Sequence, residues 1–285
     1  MKINEISELA ITKLMSELKD DLGKISPNND LTSSVLLPST LECKAIISNR
    51  EKIILCGQKF IKKFLQTKFP MLTFSSNYKD GCNLKKNSVI FEISGNARYI
   101  LLIERTVLNF IQHLSSISTY TKKFVEKIKK TETKLLDTRK TTTGLRLLEK
   151  YATKIGGAQN HRAGLYEKIL IKDNHVKLLG GMNRTLEMIK KKKIKNYMIE
   201  CESYLEVEKC LAFGSKYILL DNMTPDEITK CVDHRNLINK NVIFEITGGI
   251  NLDNIYSFAK LGCEFISCSK ITNSAKSVDI GLDLL

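Results

Sequence analysis

Two periodicities of apolar residues follow one another along the chain. The first is helical. Ile3, Ile6, Leu9, Ala10, Leu14 and Leu18 recur three or four positions apart, which predicts an amphipathic helix over 3–19. Gly23 stops it, and Pro27 confirms the break. SPNNDLTSSVLLP then reads as a loop followed by a short strand, and 41–49 and 88–94 read as strands bounded by turn residues. Helical spacing returns over 54–65, and Asp80-Gly81 marks a turn. A long helix is expected over 98–129, where Val107, Phe110, Ile111, Leu114, Ile117, Phe124, Val125 and Ile128 form one stripe. A helix of that length can cross from one domain to another, and the boundary is expected near residue 115.

From residue 134 the pattern becomes strand-then-helix. Strands are expected at 134–137, 154–157, 168–172, 196–201, 216–221, 242–247 and 263–268, with a helix at 145–152 after the first of them. Thr224, Pro225 and Glu227 have the spacing of a capping box. Asn251 is expected to cap the next helix, and Gly214 and Gly262 to close helices before strands. Alternating strands and helices imply a parallel sheet with right-handed crossovers. Seven such units without a GxGxxG turn favour a barrel over a dinucleotide fold.

The polar residues of this half fall where a barrel places its chemistry. Asp137 ends the first strand, and Thr138, Arg139 and Lys140 follow it; His161 and Arg162 follow the second; Lys172 ends the third, and Asp173 and His175 follow it. Glu200 closes the fourth strand and Asp221 the fifth. Singly, each is an ordinary solvated or ion-paired residue. Jointly, they converge on one barrel mouth and make a site for a substrate carrying several negative charges.

The totals fit a folded protein with one large or two modest domains: 285 residues, of which 42% are hydrophobic and 27% charged. No apolar run reaches the ~18 residues needed to span a bilayer, and the acidic residues of the first helix argue against a secretory signal. Eight cysteines without a Cys-x-x-Cys pair are expected to be reduced, in a cytoplasmic protein without a zinc site. The net charge of +14 raises nucleic-acid binding as a possibility. However, the densest run, Lys190–Lys193, ends a predicted helix and carries no interleaved aromatic residues, which favours a solvated face.

DTRKTTTGLR, GGAQNHR and LIKDNH, with ERTVLNF, LLDN and TGGI in order around them, resemble the signature blocks of the quinolinate phosphoribosyltransferases. The resemblance runs from about residue 21 to the C-terminus. It implies an N-terminal open α/β sandwich over 1–115, with a C-terminal tail, 275–285, packing back on it, and an incomplete seven-stranded TIM-like α/β barrel over 116–274. It implies transfer of the phosphoribosyl group of phosphoribosyl pyrophosphate to quinolinate with decarboxylation, in de novo NAD biosynthesis. Arg105, Arg139, His161, Arg162 and Lys172 match the quinolinate pocket, and Thr138 is placed in substrate binding. Lys140, Glu200 and Asp221 match the catalytic positions, and the two acids the magnesium site. Thr247, Gly248, Gly249, Ser269 and Lys270 would face phosphate. The family pattern further implies a homodimer, or a larger oligomer, in which Arg105 enters the partner's site. Four positions depart from the pattern: Ser116 and Ser269 replace glycines, Asn273 a common histidine, and Met198 a common glutamate. A Cβ at 269 would narrow a phosphate pocket, which Lys270 could offset with a direct cation.

Two other functions compete. A phosphoribosyltransferase acting on nicotinate itself would need fewer cations for a monocarboxylate. A basic, non-enzymatic binding protein would bind nucleic acid in a salt-sensitive way.

Overall fold

The computed structural model describes residues 3–285 and separates into two compact units. The first comprises the chain up to Lys122, together with Leu147–Gly157 and Ala275–Leu285; the second comprises Lys123–Arg146 and Ala158–Ser274.

The first unit opens with α1 (Ile3–Leu22), a 3-10 turn at Pro27–Asn29 and α2 (Leu31–Leu36). β1 (Glu42–Asn49), β2 (Ile53–Ile54), α3 (Gln58–Lys68), β3 (Thr73–Ser75), β4 (Asn83–Leu84) and β5 (Val89–Asn96) follow, before α4 (Ala97–Ile128). α5 (Arg146–Ile155) is shared between the units, with all but Arg146 in the first. β12 (Ile280–Leu284) adds to β1, so the sheet order is β12-β1-β5-β3, antiparallel throughout. β1 alternates as its sequence suggests: Ala45 and Ile47 enter the core while Lys44 stays exposed. Leu14, Leu18, Phe64, Phe91, Ile103, Val107 and Ile111 complete that core.

The segment expected as a short strand before Pro38 is instead the helix α2. Asp30 decides this by accepting the Ser33 N–H as an N-cap, and Val35 and Leu36 remain exposed rather than entering a sheet. The helix expected from residue 54 begins at Gln58, because Ile53 and Ile54 pair with β4.

The second unit contains β6 (Lys134–Leu136), β7 (Ile169–Ile171), α6 (Asp173–Leu178), α7 (Met182–Lys191), β8 (Tyr197–Cys201), α8 (Tyr204–Phe213) and β9 (Tyr217–Asp221). It continues through α9 (Pro225–Ile238), β10 (Ile243–Thr247), α10 (Ile255–Ala259), β11 (Phe265–Ser267) and α11 (Lys270–Asn273). The sheet is parallel, in the order β6-β11-β10-β9-β8-β7. No strand forms at 154–157, where α5 ends and Gly156 and Gly157 turn. A single bridge from Gln159 to Leu136 stands in the expected second-strand position. The cyclic order is that of a barrel interrupted between Gln159 and β7, an incomplete α/β barrel.

Ile218, Leu219 and Leu220 are all buried, as expected of a strand covered on both faces. The Thr224 capping box forms at the start of α9, and Gly214 adopts a left-handed conformation after α8. Asn251 does not cap α10 directly. Its side chain accepts the Asp253 and Asn254 N–H groups, and Asn254 occupies the cap position.

Candidate active site

Strand register determines which side chains share the barrel interior. Leu219 of β9 is level with Glu200 of β8 on one side and with Glu245 of β10 on the other. Successive side chains on a strand alternate between faces. Tyr217, Leu219 and Asp221 therefore share one face with Glu200, Glu245 and Thr247, Thr247 lying level with Asp221. Leu170, Met198, Leu219 and Tyr217 pack together below these polar groups and form an apolar floor.

On one side of the mouth, the Lys172 Nζ donates to Glu200 Oε2 at 2.9 Å. Burial raises the Glu200 carboxyl above its ordinary range, and the charge of Asp221 pushes the same way against the hydrogen bond from Lys172. Asp221 itself accepts the Asn222 side-chain amide at 2.8 Å. Among the described residues, no group of three or more His, Cys, Asp or Glu side chains forms a metal cluster. Two carboxylates close enough to repel nevertheless suit magnesium, which takes hard oxygen ligands and often uses only one or two protein carboxylates.

On the other side, the buried Asp137 organises the loop after Gln159. It accepts the His161 N–H at 2.8 Å and the Asn160 amide at 2.6 Å. The His161 Nδ1 accepts the Arg162 N–H at 2.8 Å, and Arg162 Nη1 donates to the Lys168 carbonyl at 2.8 Å. Arg162 is buried, and both burial and the charge of Arg139 push its guanidinium pKa down. The Nε groups of Arg139 and Arg162 are buried without a hydrogen-bond partner. Planar guanidinium groups can each grip a carboxylate through two hydrogen bonds, which makes this neighbouring pair a candidate carboxylate site.

The remaining predicted residues are distributed less tightly. Lys140 is exposed, and its N–H donates to Thr138 Oγ1; its carbonyl accepts the Thr272 hydroxyl, tying α11 to the loop after β6. After β10, Gly248 and Gly249 have φ of +86° and +64°. A Cβ on Gly248 would collide with Asn222 Oδ1 and lie 2.8 Å from the Asn222 backbone N, so this turn requires glycine there. Ser269 precedes α11 with φ of −79°, a conformation that any residue adopts, so its replacement of glycine strains no backbone. Lys270 is exposed in α11. Arg105 is exposed on α4 in the first unit. His175 accepts the Lys172 N–H, and Asp173 pairs with Lys177. Ser116 binds the Gln112 carbonyl and accepts the Val278 N–H, a structural role in the first unit.

The sequence pattern did not single out Glu245 or Tyr217. Glu245 is fully buried; its Oε2 accepts the Tyr217 hydroxyl at 2.7 Å and lies 3.6 Å from His161 Nε2. The available signal was a charge inside the apolar run IFEIT, level across the sheet with Glu200.

An incomplete α/β barrel whose mouth gathers guanidinium groups and carboxylates offers a candidate site for polyanionic substrates. Residues 30–115 match the N-terminal domain, and residues 117–283 the C-terminal domain, of quinolinate phosphoribosyl transferase. The chain belongs to that family. It is 36% identical to the probable nicotinate-nucleotide pyrophosphorylase (carboxylating) of Bacillus subtilis, over 98% of this chain and 95% of that protein. It is 34% identical to the protein of the same description in Methanocaldococcus jannaschii, over 98% and 99% of the two chains. A crystal structure of nicotinate-nucleotide pyrophosphorylase from Ehrlichia chaffeensis superposes with a TM-score of 0.89 at 35% identity, covering 100% of this chain and 99% of that one.

Proposed function

We propose that this protein transfers the phosphoribosyl group of phosphoribosyl pyrophosphate to quinolinate and releases pyrophosphate and CO2, leaving nicotinate mononucleotide. The observation that carries this reading is the Arg139–Arg162 pair. Its buried Nε donors lack partners, and the charge of Arg139 disfavours that of Arg162. An aromatic diacid supplies two carboxylates to such a pair, whereas nicotinate supplies one. Lys172 and Arg105 complete the proposed grip, with His161 lining the pocket.

The pyridine nitrogen attacks the anomeric carbon as pyrophosphate departs. Lys140 meets charge developing on the leaving group, and the Gly248–Gly249 turn presents backbone to the phosphate. The C2–carboxylate bond then breaks as CO2 leaves, its electron pair stays on C2 stabilised by the adjacent pyridinium nitrogen, and C2 takes a proton from water. Glu200 and Asp221 would hold magnesium, which supplies charge neutralisation for the pyrophosphate when bound. Holding both substrates in line accounts for much of the acceleration, and no covalent nucleophile is required.

Purified protein with magnesium and both substrates is expected to form nicotinate mononucleotide with one CO2 per pyrophosphate. Activity on nicotinate but not quinolinate would replace this reading with the monocarboxylate one. We also place the protein in the cytoplasm; its free cysteines suit a reducing compartment. No described helix is long and apolar enough to cross a membrane. Arg105 is proposed to enter the site of a second subunit. Mixing Arg105→Ala and Arg139→Ala proteins should then restore part of the activity that each has lost, and no recovery would reject sharing.

A further inference from the structure

Glu245 is a buried acid that the mechanism above does not use. One of its oxygens, Oε1, has no hydrogen-bond partner, and the other accepts the Tyr217 hydroxyl. A buried carboxylate held by one neutral donor is costly unless a further partner faces it. The His161 ring, 10% exposed, faces the oxygen that Tyr217 holds, with Nε2 3.6 Å from Oε2, while Oε1 stays without a partner. Its other nitrogen accepts the Arg162 N–H. A neutral imidazole has one N–H and one lone pair, so that contact assigns the proton to Nε2. Glu245 can only accept, and therefore favours the same tautomer.

We infer that Glu245 is a positioning residue: it holds His161 as the Nε2–H tautomer, keeps the Nδ1 lone pair for the Arg162 N–H, and thereby sets the guanidinium of Arg162 for its carboxylate. Tyr217 fixes the carboxylate of Glu245 in turn. The 3.6 Å separation exceeds a hydrogen bond, so at this distance Glu245 acts on the ring through its charge. This inference rests on the reading of the mouth as a quinolinate site. It gives His161 an indirect part, acting through the loop that bears Arg162.

The test is 15N NMR of histidine-labelled protein, with His161 assigned from the signal lost in His161→Asn, alongside steady-state kinetics. The unmodified protein is expected to show protonated Nε2 and unprotonated Nδ1. Glu245→Met removes the acceptor, should populate the Nδ1–H form, and should raise the quinolinate KM by about tenfold with kcat little changed. Glu245→Gln keeps a carbonyl acceptor and should restore most of both properties. An Nδ1–H tautomer in the unmodified protein would overturn the inference, as would a Glu245→Met protein with unchanged tautomer and KM. If Glu245→Met does not fold, an Nδ1–H tautomer in the unmodified protein would still overturn the inference. That measurement needs no ligand, so a failure to bind quinolinate would sink the functional reading separately.

Discussion

Arg162 illustrates how much a single side chain can be asked to do. It is buried, bonded to the Lys168 carbonyl, and carries a second donor edge without a partner. Lysine would keep the charge and lose the planar fork. Arg162→Lys is therefore expected to raise the quinolinate KM by about tenfold or more, which steady-state kinetics would show. Gly248 is constrained for a different reason. Gly248→Ala would put a Cβ against Asn222 in a left-handed turn, and about 1–3 kcal/mol of destabilisation is expected, measurable as a lower Tm. Arg139 and Lys172 come shortly after short apolar runs that form strands, whereas Arg162 follows only the one-residue bridge at Gln159. Glu245 was not legible in the sequence, because a single acid within a buried strand carries no sign of what faces it.

Elements were legible where one period dominated. α4 spans almost the predicted range, and the Thr224 box formed as its spacing indicated. Thr224→Ala is expected to cost about 1 kcal/mol, read from chemical denaturation. The misassignment at 154–157 has a specific cause. Ile155 followed by two glycines looks like a strand end, yet Leu148 and Ala152 carry the helical stripe through to it. Gly156 serves close approach: a Cβ there would meet the Ser118 carbonyl at 2.6 Å. No local pattern encodes that contact. At α2, the cap at Asp30 outweighed the apolar VLL run.

At the scale of the whole molecule, a net charge of +14 bears on encounter with charged molecules rather than on the fold. Lys190–Lys193 are all exposed at and beyond the end of α7, the solvated face that their spacing suggested. Both proposed substrates are polyanions, so kcat/KM should fall as ionic strength rises from about 0.01 to 0.15 M, where the screening length shortens from ~30 to ~8 Å. Assaying in a series of NaCl concentrations would check this, and a flat profile would assign recognition to short-range contacts alone. The order of the barrel strands followed from the sequence alternation; where the ring is interrupted did not, because a one-residue bridge leaves no periodic trace.

The interruption between Gln159 and β7 has a consequence of its own. The backbone of residues 160–168 is not stitched into the ladder; Asp137 and Arg146 hold it from outside, and Glu167 and Arg162 bond to it from within the segment. Deuterium should therefore enter these amides before those of β9 or β10, and filling the mouth with a diacid should slow that entry most. The proposed diacid receptor would then sit on an arc of the barrel that no strand ladder holds.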